Sequence, residues 1–146
     1  MWNDRKSLIF SKVCVLLFLL TLVVCAILAP GEYGTMLPLL FEGRKALFLT
    51  TIYLGCIPAV VLLVLLFAIL SRLGSGQVFV RKNVQCLRYI SWCCFSGAII
   101  SAVSMLYWIP WGAVSVAAAF MGLIVRVIKN IIAKAVSLQD EADFTI

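Results

Sequence analysis

The chain has 146 residues, 64% of them hydrophobic, and a mean hydropathy of +1.15. Soluble domains are apolar over about half their length, so a water-soluble fold is excluded, and one membrane domain uses the whole chain. The net charge of +6 does not signal nucleic-acid binding, because the cations sort with the apolar runs.

Ten of the twelve Lys/Arg fall in three places: Arg5, Lys6 and Lys12; Arg72, Arg81, Lys82 and Arg88; and Arg126, Lys129 and Lys134. Arg44 and Lys45 stand apart, beside Glu32 and Glu42. The positive-inside rule turns this alternation into a prediction: an all-α membrane protein with four transmembrane helices and both termini in the cytoplasm. The inner side then carries ten basic residues against Asp4, Asp140, Glu141 and Asp143. Its partner there is the anionic inner leaflet, worth about 1 kcal/mol per surface cation.

A spanning helix needs about 20 residues. Helix 1 is expected over about 13–29, stopped by Pro30-Gly31. Arg5 and Lys6 before an apolar core resemble a signal peptide, but the core runs on past Cys25, which predicts an uncleaved helix. The outer connection follows, with Met36 to Phe41 expected in the interface. Helix 2 covers about 46–70, and Gly74-Ser75-Gly76 reads as a flexible break.

From Tyr89 to Val125 no residue is charged. That is too long for one span, and Pro110-Gly112 divides it. A tight hairpin is expected, with helix 3 over about 89–108 and helix 4 over about 112–132, extending to 138; a re-entrant hairpin is the alternative. Tyr107, Trp108 and Trp111 mark the outer interface, and Tyr89 and Trp92 the inner one. Gly97, Ser101 and Ser104 share one face of helix 3; Ser115, Ala119 and Gly122 share one face of helix 4. Close backbone approach is what pairs helices in lipid. Folding back at Pro110 predicts Ser104 against Ser115, Ser101 against Ala119 and Gly97 against Gly122. A self-association face, and hence a homo-oligomer, is the rival use of these residues.

Six cysteines form no CxxC pair and the chain has no histidine, so no metal site or cofactor is expected. Small apolar packing residues explain them, with palmitoylation of Cys86 as the functional alternative.

Two segments stand out on the cytoplasmic side. Over 79–88, Phe79, Val80, Asn83, Val84 and Leu87 fall opposite Arg81, Lys82, Gln85 and Arg88, predicting an amphipathic interfacial helix that leads into helix 3. Asn83 lies on the apolar side and must bond to a helix end or a neighbouring backbone. After helix 4 comes an acidic tail, 139–146. Either it frays, or Asp140, Glu141 and Asp143 meet Arg81, Lys82 or Arg88 while Phe144 and Ile146 pack beneath. These ten residues (Phe79, Arg81, Lys82, Asn83, Arg88, Asp140, Glu141, Asp143, Phe144, Ile146) are the candidate docking surface.

Gly76-Gln77-Val78-Phe79, then Asn83-Val84 and Leu87-Arg88, and the ending Glu141-Ala142-Asp143-Phe144-Thr145-Ile146 resemble the YoaS-like group of small four-helix bacterial membrane proteins (domain of unknown function 2975). Family members tend to show Gly-x-x-Phe-Thr, Asn-Val and Leu-Arg, and to close on something like Glu-Asn-Asp-Leu-Thr-Ile. Here Val80 replaces the Thr, Ala142 the Asn and Phe144 the Leu. The resemblance implies the bacterial cytoplasmic membrane, no established activity, and a small helix-turn-helix regulator encoded nearby.

Enzyme chemistry needs acids, bases or metal ligands held together, and no span contains Asp, Glu or His. The same lack disfavours an ion-coupled transporter. What remains is an interaction protein, a non-enzymatic membrane protein with a cytoplasmic docking surface; the resemblance implies that the partner it tethers or inhibits is a small DNA-binding regulator, with no direct contact to nucleic acid. The alternatives are an immunity or envelope-stress factor acting through its helices, a lipid-binding structural role, and a pore or transporter-like oligomer.

Overall fold

A computed structural model describes residues 4–31 and 45–144. It contains four helices among the described residues: α1 (Asp4–Leu28), α2 (Lys45–Gly74), α3 (Arg81–Ser104) and α4 (Trp111–Phe144). The Met36–Phe41 stretch expected at the interface, and Ile146, lie outside the described residues.

All four helices are long and apolar enough to cross a bilayer, which makes this a multi-pass membrane protein. Their surfaces say the same. Val116, Ile27, Phe18 and Phe120 are largely exposed, an arrangement that water would penalise and hydrocarbon does not.

The packing order follows the chain: α1 on α2, α2 on α3, α3 on α4. The inner helix is α3, which buries Asn83, Cys86, Ile90, Ser91, Ala98, Ser101 and Ser104. Small and polar residues suit that place, since they let neighbouring backbones approach and supply hydrogen bonds. Ile69, Cys86 and Ile90 form the apolar centre between α2 and α3, with Leu65, Leu66 and Val125 against it.

Three contacts bring the start of α1 and the end of α4 to one end of the bundle. A Cβ on Gly74, at the end of α2, would lie 3.0 Å from Leu8 on α1. Arg72 reaches Asn83 at the start of α3, and Arg81 reaches Asp140 near the end of α4. Ten of the twelve cations therefore belong to this basal end or the turns leading to it.

The opposite end is held by hydroxyls. Tyr107 Oη donates to Thr51 Oγ1 at 2.7 Å, and Thr51 Oγ1 lies 2.9 Å from Ser104 Oγ. Thr51 and Ser104 are both buried, so this chain ties α2 to the end of α3. Thr51→Val keeps the shape and removes the link. It is expected to cost about 1 kcal/mol, read as a lower unfolding midpoint in mixed detergent micelles; an unchanged midpoint would show that the hydroxyls hold nothing.

Several boundaries depart from the sequence expectation. The 79–88 segment is not a separate helix: from Arg81 it is continuous with α3, because nothing between Arg81 and Ser96 is Gly or Pro. That helix stops at Ser104 rather than Trp108, where turns take the chain through Pro110. The tail is helical as far as Phe144.

The Gly74–Gly76 break is an ordered cap instead of a flexible link. Gln77 N–H donates to the Arg72 carbonyl and Gly76 N–H to the Leu73 carbonyl, the paired bonds of a Schellman ending. Gly76 takes φ +82° there, a conformation costing other residues about 1–2 kcal/mol.

The hairpin register is also different. Ser115 Oγ donates to the Ala98 carbonyl at 2.8 Å, and Ser91 Oγ to the Gly122 carbonyl at 3.1 Å. A Cβ on Gly122 would meet Cys94 and Phe95, while one on Gly97 would meet nothing within 4 Å. The predicted pairs Ser104–Ser115 and Gly97–Gly122 are thus displaced by about one helical turn. Ser104 turns to Thr51 instead.

Candidate functional site

At the basal end, the first two turns of α3 and the last three of α4 enclose a groove of about 490 Å³. Its floor is apolar, made by Val84, Ala133 and Val136, the last only 6% exposed. Arg81, Gln85, Asp140, Glu141 and Phe144 form the walls.

Helical spacing explains why the sequence builds this. Arg81, Val84 and Gln85 lie one turn apart on α3, and Ala133, Val136, Ser137, Asp140 and Phe144 recur every three or four residues on α4. Apolar residues recur along the inside of each helix, and the charges sit where the helices emerge.

Arg81 Nη2 donates to Asp140 Oδ2 at 3.0 Å across the groove. The two side chains are 80% and 44% exposed, so water screens the pair, and it holds the walls together with at most about 1 kcal/mol. Of the two alternatives for the tail, neither a frayed end nor the packing of Phe144 beneath these charges occurs as far as Phe144. Phe144 is 89% exposed, because α4 remains helical and carries the ring out along the groove wall instead of folding it back.

Asn83 is structural rather than part of the open surface. It is 2% exposed; its Nδ2 donates to the Gln77 and Val78 carbonyls at 3.0 and 2.9 Å. Arg72 Nη1 donates to Asn83 Oδ1 at 3.3 Å and to Cys86 Sγ at 3.2 Å. This clamp fixes the α2–α3 connection, and with it the position of Arg81. Val80 stands at the α3 N-cap with no side-chain bond, so Asn83 supplies from inside the helix the anchoring that a capping hydroxyl would give from outside.

The other expected docking residues disperse. Phe79, Lys82 and Asp143 are exposed and line no part of the groove. Arg88 points to a different face, beside Ser91, Trp92, Arg126 and Lys129.

A larger feature escaped the sequence. A cleft of about 580 Å³ lies between all four helices, lined by Phe18, Thr51, Gly55, Gly97, Ser101, Trp111 and their neighbours. Trp111 Nε1 is buried there without an acceptor among the described residues. Gly97 and Ser101, assigned to the hairpin, line this space. The available signal was Gly55 on α2, which with Gly97 and Ser101 makes three small residues on two helices; a Cβ on either glycine would meet nothing within 4 Å.

All six cysteines are free thiols, and among the described residues no three His, Cys, Asp or Glu side chains converge as metal ligands would. No curated protein and no solved structure matches the chain. One family model does, over residues 11–146, its description being "Protein of unknown function (DUF2975)". A match that takes in most of α1 and all of α2, α3 and α4, with the groove and the clamp, settles the family, and this chain belongs to DUF2975.

Proposed function

We propose that the protein is a non-enzymatic docking protein of the bacterial cytoplasmic membrane, with both termini in the cytoplasm and the α3–α4 groove as its binding surface. The orientation rests on the crowding of basic residues at the basal end. The partner is a cytoplasmic protein, and the resemblance drawn from the sequence favours a small DNA-binding regulator held at the membrane.

One observation carries this reading. The groove has an apolar floor and an exposed phenylalanine on its wall, and a solvated ion pair bridges it. An apolar helix face of a partner would bury Phe144 and Val84 at little cost, displacing a weak contact.

The test compares the intact chain, a version ending at Gln139 and the Phe144→Asp variant, each crosslinked and purified from its own host. A DNA-binding protein recovered with the intact chain and lost from both others is expected. Equal recovery from all three, or none from any, would overturn the reading. The cleft between the four helices favours a second one, in which the protein acts within the bilayer on a membrane peptide or lipid. In that case Gly97→Leu, which fills the cleft, abolishes function while Phe144→Asp leaves it intact.

A further inference from the structure

Away from the groove, α3 and α4 bring Arg88, Arg126 and Lys129 around one small polar pocket of about 50 Å³, together with Ser91 and Trp92. None of the three cations has a hydrogen bond or an ion pair among the described residues. Like charges gathered this closely repel, so an anion is wanted to complete the pocket. No acidic residue lines the pocket, and along α4 the next one after Lys129 is Asp140, about 16 Å further on. That is roughly two Debye lengths at physiological ionic strength.

The depth of the pocket identifies where the anion comes from. Ser91 Oγ bonds the Gly122 carbonyl, which sets the two helices in register. From that contact Arg88 lies about 4.5 Å toward the basal end, Arg126 about 6 Å and Lys129 about 10.5 Å. On α4 the charge-free run from Gly112 to Val125 spans only about 21 Å, against about 30 Å of hydrocarbon. Arg126 therefore begins inside the hydrocarbon boundary and must reach outward to lipid phosphates. Trp92, 59% exposed on the same face as Arg88, carries an indole suited to the headgroup layer.

We propose that Arg88, Arg126 and Lys129, flanked by Trp92, bind the phosphate of an anionic phospholipid in the leaflet at the basal end. The two guanidiniums are the forked donors that phosphate oxygens accept, and Lys129 adds a point charge. Basic pockets between transmembrane helices are suited to such headgroups. This site is independent of the groove and of what docks there.

The experiment titrates the purified full-length protein in neutral detergent with phosphatidylglycerol, then with phosphatidylcholine, and counts retained lipid by native mass spectrometry. Preference for phosphatidylglycerol is expected. The R88Q/R126Q/K129Q variant is expected to bind it about a hundredfold more weakly, the cumulative effect of three interfacial cations, and R126Q alone about fivefold. R5Q/K6Q on α1, outside the pocket and the groove, serves as the charge control and retains the lipid. Should the triple variant fail to fold, R126Q and the charge-preserving K129R still decide the matter. Equal retention by wild type and R126Q, or no preference over phosphatidylcholine, would overturn the proposal. Displacement of the lipid by inorganic phosphate would overturn it too, reassigning the pocket to a soluble anion.

Discussion

Asn83→Leu is expected to be the most damaging single substitution at the basal end, lowering stability by about 3 kcal/mol or more. Leucine keeps the branching at Cγ but deprives the Gln77 and Val78 carbonyls of their donor and Arg72 of an acceptor. Each buried group left without a partner costs about 1–3 kcal/mol, and the charged one most. At about 2–4 °C per kcal/mol for a chain of this size, the midpoint of thermal unfolding in detergent should fall by about 10 °C. Asn83→Asp separates the two halves of the clamp. It keeps an acceptor for Arg72 but sets a carboxylate against two carbonyl oxygens, so it too should be destabilised. If Asn83→Asp proved as stable as wild type, donation to the connection would be unimportant.

The second prediction is a contrast between two glycines of the α3–α4 hairpin region. Gly122→Leu is expected to cost about 3 kcal/mol. A Cβ there already sits 3.2 Å from Cys94 Cβ and from the Phe95 ring, and the helices must part to admit anything longer. Gly97→Ala meets nothing within 4 Å. It should cost nothing and gain up to about 1 kcal/mol from the better helix former. Equilibrium unfolding in mixed micelles measures both. A destabilised Gly97→Ala beside a neutral Gly122→Leu would restore the register predicted from the small-residue pattern and overturn the observed one.

That contrast shows where sequence is informative for this chain. Four spans were legible because hydropathy averages over about twenty residues, and one ambiguous position changes little. The hairpin itself was legible from Pro110-Gly112 in the middle of an uncharged stretch. Its register was not. Small residues recur on α3 at Cys94, Gly97, Ser101 and Ser104, so sliding one helix by a turn presents a similar face to the partner. What selects among registers is the whole shape of Phe95 and Met105 against Gly122 and Gly112.

The candidate site divides the same way. The amphipathic spacing around Arg81 and the acidity of Asp140 were readable, and the structure joins these two. Asn83 was expected to bond to a backbone, and it does, but its partners Gln77 and Val78 depend on the cap that Gly76 forms. For the tail the alternatives were a frayed end or Phe144 folded inward, since an apolar residue after three acids looks like an anchor. Uninterrupted helix geometry carries it outward, and helix continuity is a cooperative property that no single residue announces. Arg88 looked like part of the docking surface, whereas its position three residues before Ser91 puts it on the face with Arg126 and Lys129.

The walls of the groove have a mechanical property that follows from their sequence. From Arg81 to Ser96 on α3, and from Leu123 to Phe144 on α4, there is no glycine or proline. Such helices bend gently, and sharp kinks need one of those residues or an inserted group. The helix α4 is about 51 Å long, well beyond the thickness of the hydrocarbon core. Its basal turns are the same stiff rod that crosses the bilayer. No hinge isolates the groove from the membrane, and a change of tilt forced by a thinner or thicker bilayer reaches Asp140 and Phe144 undiminished.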